Sequence, residues 1–219
     1  MEQCITVRGL GRAGAKPDLI VLPMTLEARR PGYEDCLALA DEQAAALRRA
    51  LGALGFPEDA VKTVSFNVSA EYESEPDEHG RYRQCFAGYC CLHELSLEFP
   101  LDTARLGAVI GALASCPAAP MFRIRFTVKD PDALSDALLA DAAANARARA
   151  EALCRASGVR LGALLRIDCG SGGDRPFSNT EVAPRAAGAV LKAARADLAF
   201  TPENVETSDT VLFTWAIEG

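Results

Sequence analysis

Two hydrophobic periods alternate along this chain, and their order limits the fold more than any single motif does. A period of two sends successive side chains to opposite faces of a strand; a period near 3.6 gathers them in one stripe of a helix. The first period is present at Ile5–Arg8, which runs into Gly9-Leu10-Gly11, and again at Leu19–Ala28, where Ile20, Leu22, Met24 and Leu26 are apolar. Pro23 has no N–H to give a ladder, so this second strand is expected at an edge or with a bulge. From Gly32 to Leu54 the helical period takes over. Leu37, Ala40, Ala44, Leu47, Leu51 and Leu54 form its stripe, and Gly55 and Pro57 end it.

Thr63–Ala70 alternates strictly, Val64, Phe66, Val68 and Ala70 against Thr63, Ser65, Asn67 and Ser69, as expected of a half-buried strand with one wet face. The polar stretch Glu71–Arg83 is expected to be a long exposed hairpin tip. The return strand runs from about Gln84 to Phe99, with Tyr89, Cys91, His93, Leu95, Leu97 and Phe99 on one face, and the two strands are expected to pair antiparallel. A second helix covers Leu101–Ser115, with Leu106, Val109, Ile110 and Leu113 inward, and Met121–Lys129 alternates once more. Asp130-Pro131 then starts a third helix over Pro131–Ala156: the carboxylate can cap free N–H groups and proline suits the first helical position. Strands are read at Leu161–Asp168 and Val205–Ile217. Between them, residues 170–202 form an irregular excursion or mobile loop in which Ala186–Ala196 could make a short helix.

The order β-β-α-β-β-α-β-α-β-β, with two strand pairs uninterrupted by a helix, predicts an α+β fold of long, mostly antiparallel strands with helices packed on one face. A chain of 219 residues, 49% hydrophobic and 24% charged, is an ordinary globular composition with room for a full core. Its 30 Asp and Glu outnumber 23 Lys and Arg, a formal charge of -7 that disfavours nucleic-acid binding. No apolar run reaches the length of a membrane span, and Met1-Glu2-Gln3-Cys4 has neither the basic nor the apolar region of a signal peptide, so a cytoplasmic chain is expected. The eight cysteines show no CxxC pair and no regular framework, and are expected to be reduced thiols, several of them buried.

Several stretches resemble the SIMPL family, in the family's order and over nearly the whole chain. They are Ile5-Thr6-Val7-Arg8-Gly9-Leu10-Gly11 with Lys16-Pro17-Asp18, Gly88-Tyr89 leading into a long strand, and Phe126-Thr127-Val128-Lys129-Asp130-Pro131. Ala146-Arg147-Ala148-Arg149-Ala150-Glu151-Ala152-Leu153, followed by Ser157-Gly158-Val159-Arg160-Leu161-Gly162, is the strongest of them. The resemblance implies a single SIMPL-like domain over 1–219, with room for two sub-lobes, in a mostly bacterial family of unknown biochemical activity. It also implies homo-oligomeric assembly and a link with stress responses, and many members are exported to the envelope. No catalytic residue or cofactor comes with it.

Few residues suggest chemistry. Gly9-x-Gly11-x-x-Gly14 matches a dinucleotide fingerprint in letters, but a strand rather than a helix follows it, so the glycines are expected to shape a turn or bulge. Gly170-Ser171-Gly172-Gly173 could cradle an anion with its N–H groups, though a flexible loop is the simpler role. Cys85, Cys91 and His93 share strand parity, and thiolate with imidazole can hold zinc or form a nucleophile–base pair. Against this, no second ligand pair is recognisable, and their apolar neighbours suit a core position. Arg123, Arg125 and Lys129 form a basic strand face suited to carboxylates on a neighbouring strand. Asn67-Val68-Ser69 is a glycosylation sequon in letters alone. With no convergent catalytic set and no cofactor, the expectation is a non-enzymatic interaction or assembly protein that self-associates through a strand edge or the hairpin, or binds an unknown protein partner. The alternative is a thiol- or zinc-dependent enzyme built on Cys85, Cys91 and His93.

Overall fold

A computed structural model of the chain describes residues 3–76, 82–170, 175–183 and 201–219. These form an α+β arrangement of nine strands and three α-helices, in which β1 and β7 pair antiparallel with β9, and β2 and β3 with β4. They divide into two compact units: Met1–Asp18, Phe126–Thr180 and Pro202–Gly219 in unit 1, and Leu19–Arg125 and Glu181–Thr201 in unit 2. The division falls within β6 (Ile124–Thr127) and β8 (Phe177–Val182).

In unit 1, β1 (Cys4–Ala15), β9 (Val205–Glu218) and β7 (Arg160–Asp168) lie in the order β1-β9-β7. Val7 stands opposite Phe213 and Ile5 opposite Trp215, so one face is apolar. Helix α3 (Pro131–Ala156) covers it with Ala142, Ala146 and Ala150, packed against Val7, Val211, Phe213 and Trp215. Its start follows the expected chemistry: the Asp130 carboxylate accepts from the Ala133 N–H at 2.9 Å. The glycines of β1 behave otherwise than expected. They make no turn or bulge; the strand runs unbroken through Gly9 and Gly11. Both are bare because α3 lies directly upon them. A Cβ on Gly9 would strike the Ala142 carbonyl oxygen and lie 2.8 Å from the Ala146 Cβ, and one on Gly11 would strike the Leu138 carbonyl oxygen.

In unit 2, β3 (Val61–Pro76), β4 (Tyr82–Pro100) and β2 (Leu19–Arg30) lie side by side in that order, with the short β5 (Met121–Phe122) on the other side of β2. Helix α1 (Tyr33–Gly52) lies against β2 and β4, with α2 (Thr103–Ser115) beside it. Cys36, Ala40, Ala44, Leu47 and Leu51 are the buried stripe of α1, so Cys36 takes the place expected of Leu37. Leu106, Val109, Ile110 and Leu113 of α2 are buried as expected. Ile20, Leu22, Met24 and Leu26 of β2 and Leu95, Leu97 and Phe99 of β4 fill the interior beneath the helices.

Four expectations are corrected. Pro23 is not at an edge and makes no bulge: β2 pairs with β4 on one side and β5 on the other. A strand residue's N–H and C=O point the same way, and the Pro23 carbonyl accepts from Arg123 at 3.1 Å. The missing donor therefore faces the break after β5, where little is lost. That break also divides the expected Met121–Lys129 strand into β5 and β6. The expected hairpin tip Glu71–Arg83 is mostly strand, paired as far as Pro76 with Tyr82. Finally, β3 is not half-buried: Thr63, Val64, Ser65, Phe66 and Asn67 are all exposed. The irregular excursion contains one more strand, β8, while the expected helix Ala186–Ala196 lies outside the described residues.

Candidate functional site

Cys91 and His93 lie two residues apart on β4, both facing α1. Cys91 is buried with Ala28, Cys36 and Ala40. Burial raises its thiol above the ordinary value, and the nearby Cys36 and Cys90 thiols and Asp41 raise it further. A thiol so held is protonated and a weak nucleophile. His93 is only 8% exposed. Its Nε2 lies 3.0 Å from the Thr63 hydroxyl, its ring meets Phe66 edge-on at 5.0 Å, and its Nδ1 is buried without a hydrogen-bond partner among the described residues. Burial and then the positive charge of Arg48 lower its pKa below 6.5, with Asp41 opposing.

Cys85 does not join them. Six residues of extended strand separate it from Cys91 by about 20 Å. The shared parity read from the sequence is also undone by a bulge. Glu71 pairs with Gly88 and Tyr72 with Phe86, so Ala87 is the extra residue. Gly88 makes this possible with φ 146, where a Cβ would sit 2.8 Å from the Arg30 carbonyl oxygen. Past the bulge the faces exchange: Phe86 follows Tyr89 and Cys91 on the α1 side, and Cys85 pairs with Glu73 on the other. Among the described residues no three His, Cys, Asp or Glu side chains are grouped to hold a metal ion.

The remaining motifs are dispersed. No helix N-terminus follows Gly9-x-Gly11-x-x-Gly14, because β1 continues to Ala15 and β2 is the next element. Of Gly170-Ser171-Gly172-Gly173, only Gly170 is among the described residues. Arg123 reaches Glu181 at 3.4 Å, the carboxylate pairing expected of the basic stretch. An open hollow of about 590 Å³ in unit 1 is lined by Arg12, Gly14, Asn179, Glu206 and Ser208. No described helix is long and apolar enough to cross a membrane.

What distinguishes the surface is the state of its strand edges. In unit 1 the outer edge of β1 is sealed by α3: the Leu10 N–H donates to Asn145, the Arg12 N–H to Asp141, and Arg149 donates to the Arg8 carbonyl. At the other end, β7 is interrupted twice in register, between Leu161 and Leu164 and between Leu164 and Arg166. Irregular edges pair poorly with new strands. In unit 2, β3 is the outermost strand, 16 residues long. It carries exposed apolar side chains, Val64 at 65%, Phe66 at 46% and Tyr72 at 59%. A row of edge-to-face rings continues from it, Tyr72 on Phe86, Phe86 on Tyr89 and Tyr89 on Tyr33, at centroid distances of 5.9, 5.2 and 5.4 Å. Sequence reasoning missed this edge by assigning β3 a buried face. The available signal was Lys62, Glu71 and Glu73 flanking small polar residues, a charge pattern typical of edge strands.

No curated protein matches the chain. The SIMPL family model, described as a protein of unknown function, matches residues 5–215. With nearly its whole length matched in one alignment, the chain belongs to the SIMPL family.

Proposed function

We propose that this protein is a non-enzymatic assembly module that associates with copies of itself. The observation that supports this is the long outer strand β3, exposed on both faces and bordered by half-exposed rings. The N–H and C=O groups along the outer side of such a strand gain ladder bonds when another strand adds to them, and exposed apolar side chains leave water in the same event. The reactive side chains offer no comparable arrangement, since Cys91 is buried, Cys85 faces away and His93 is enclosed.

Light scattering coupled to size exclusion, on the full chain from about 1 to 100 µM, spans the weak end of specific association. Mass is expected to rise with concentration to a defined multiple of the chain. A monomer throughout that range would overturn the proposal.

A further inference from the structure

The self-association reading leaves open which surface meets which, and unit 2 carries enough pattern to say. Resting on that reading, we infer that β3 pairs antiparallel with β3 of a second copy, about a two-fold axis through Val68.

Three observations converge on this pairing. The first is where β3 is regular. Its own one irregularity against β4 lies between Thr63 and Ser65, where Val64 is extra; at Glu71/Tyr72 the extra residue is Ala87 of β4, whose bulge bends β4 and adds twist to the pair. The segment between these points is Ser65–Glu71, and its central residue is Val68. A two-fold at Val68 sets Ser65 opposite Glu71, Phe66 opposite Ala70 and Asn67 opposite Ser69 of the other copy. Each regular segment then meets only the other.

The second observation is the sorting of faces. Phe66, Val68, Ala70 and Tyr72 share the α1 side, opposite His93, Cys91, Tyr89 and Phe86 of β4. Ser65, Asn67, Ser69, Glu71 and Glu73 share the other side. Residues directly opposite in an antiparallel pair lie on one face, so apolar meets apolar and polar meets polar.

The third is charge. Lys62 lies at one end of the strand and Glu73 near the other, on the same face. With Val64 looped out as it is against β4, Lys62 comes opposite Glu73 of the second copy, and the two-fold makes that contact twice. Lys62 is free to turn to it, since its ammonium lies 3.7 Å from Asp59 with both side chains mostly exposed. A parallel pairing would instead set Lys62 beside Lys62 and Glu73 beside Glu73. An isologous contact of this kind closes on itself and ends at a dimer along this edge.

The experiment compares the wild-type chain with Lys62→Glu, Glu73→Lys and the double reversal, by sedimentation velocity across a concentration series. Each single reversal turns two attractions into two repulsions and is expected to weaken association at least fivefold. The double reversal is expected to restore it to within twofold. Both positions are exposed, so the fold is retained in all three variants. In parallel, Val68→Cys in a Cys91→Ala background, which removes the cysteine opposite position 68 on β4, is oxidised and mapped by mass spectrometry. A 68-to-68 link can form only between two copies, and directly opposed Cα atoms in an antiparallel pair lie about 4.5–5.5 Å apart, within disulfide reach. Association that is indifferent to the single reversals, or that is not restored by the double reversal, overturns this pairing while leaving the assembly reading intact. Absence of the 68-to-68 link in an associating variant overturns it equally. A wild-type chain that stays monomeric overturns both.

Discussion

His93 places a titration inside unit 2, and its sign can be worked out from its surroundings. The imidazole faces α1, where Arg48 lowers and Asp41 raises its proton affinity, and β3, which contributes Thr63 and Phe66. Burial is the largest influence, and the folded pKa lies below the ordinary histidine value of 6.5. As pH falls, the unfolded chain therefore takes this proton first. The stability His93 contributes is present in full above about 6.5 and is lost as pH falls towards and through the folded value. The thermal midpoint of the wild type, relative to that of His93→Gln, is expected to drop between pH 7.5 and 5. Parallel midpoints for the two proteins across that range would refute the assignment. Cys90 and Cys91 add no such dependence near neutrality, since burial pushes both thiols upward, away from it.

Among the elements, the seat of α3 on β1 is the most sensitive to small change. Gly11→Ala drives a methyl into the Leu138 carbonyl oxygen and to within 2.9 Å of the Ala142 Cβ, and is expected to cost about 1–3 kcal/mol or more. Gly14→Ala is the control, its nearest neighbour lying at 3.5 Å, and should melt in urea close to the wild type. The same region shows what a linear sequence conveys. Helix α3 was legible to the residue, because Asp130, Pro131 and Ser157-Gly158 mark its ends through local hydrogen bonding and backbone preference. That Gly9 and Gly11 serve close packing was not legible, since the helix they receive lies more than a hundred residues away. Parity failed for a related reason. Val64 and Ala87 each add one residue to one strand of a pair, and everything beyond such a bulge changes face. Parity alone puts Cys85 on the face of Cys91 and Val64 on the face of Phe66, and one extra residue in each strand undoes both. Pro23 misled because the break that tolerates it belongs to the strand opposite.

At the level of the whole molecule, each unit has an apolar interior of its own, and Phe213 belongs to that of unit 1. It is 5% exposed and stacked on Trp215 with ring centroids 5.5 Å apart. Phe213→Asp forfeits about 1.5–3 kcal/mol of burial and sets a carboxylate among apolar groups, together enough to exhaust an ordinary margin of stability. Loss of soluble, folded protein is expected, read by yield and circular dichroism; a cooperative melt near the wild type would refute it. The alternating residues of β9 reveal this interior readily, whereas the outer strand of unit 2 emerges only once its neighbours are known. The bare main chain beneath α3 also has a mechanical side. Interlocked side chains can yield by changing rotamer, but peptide pressed on peptide has no such slack. Sliding α3 by two strand residues would set Ala142 over Val7 or Leu138 over Ala13, each of which bears a Cβ on that face. Helix and strand are thus geared together, and under load this unit is expected to give way by abrupt rupture and not by gradual creep.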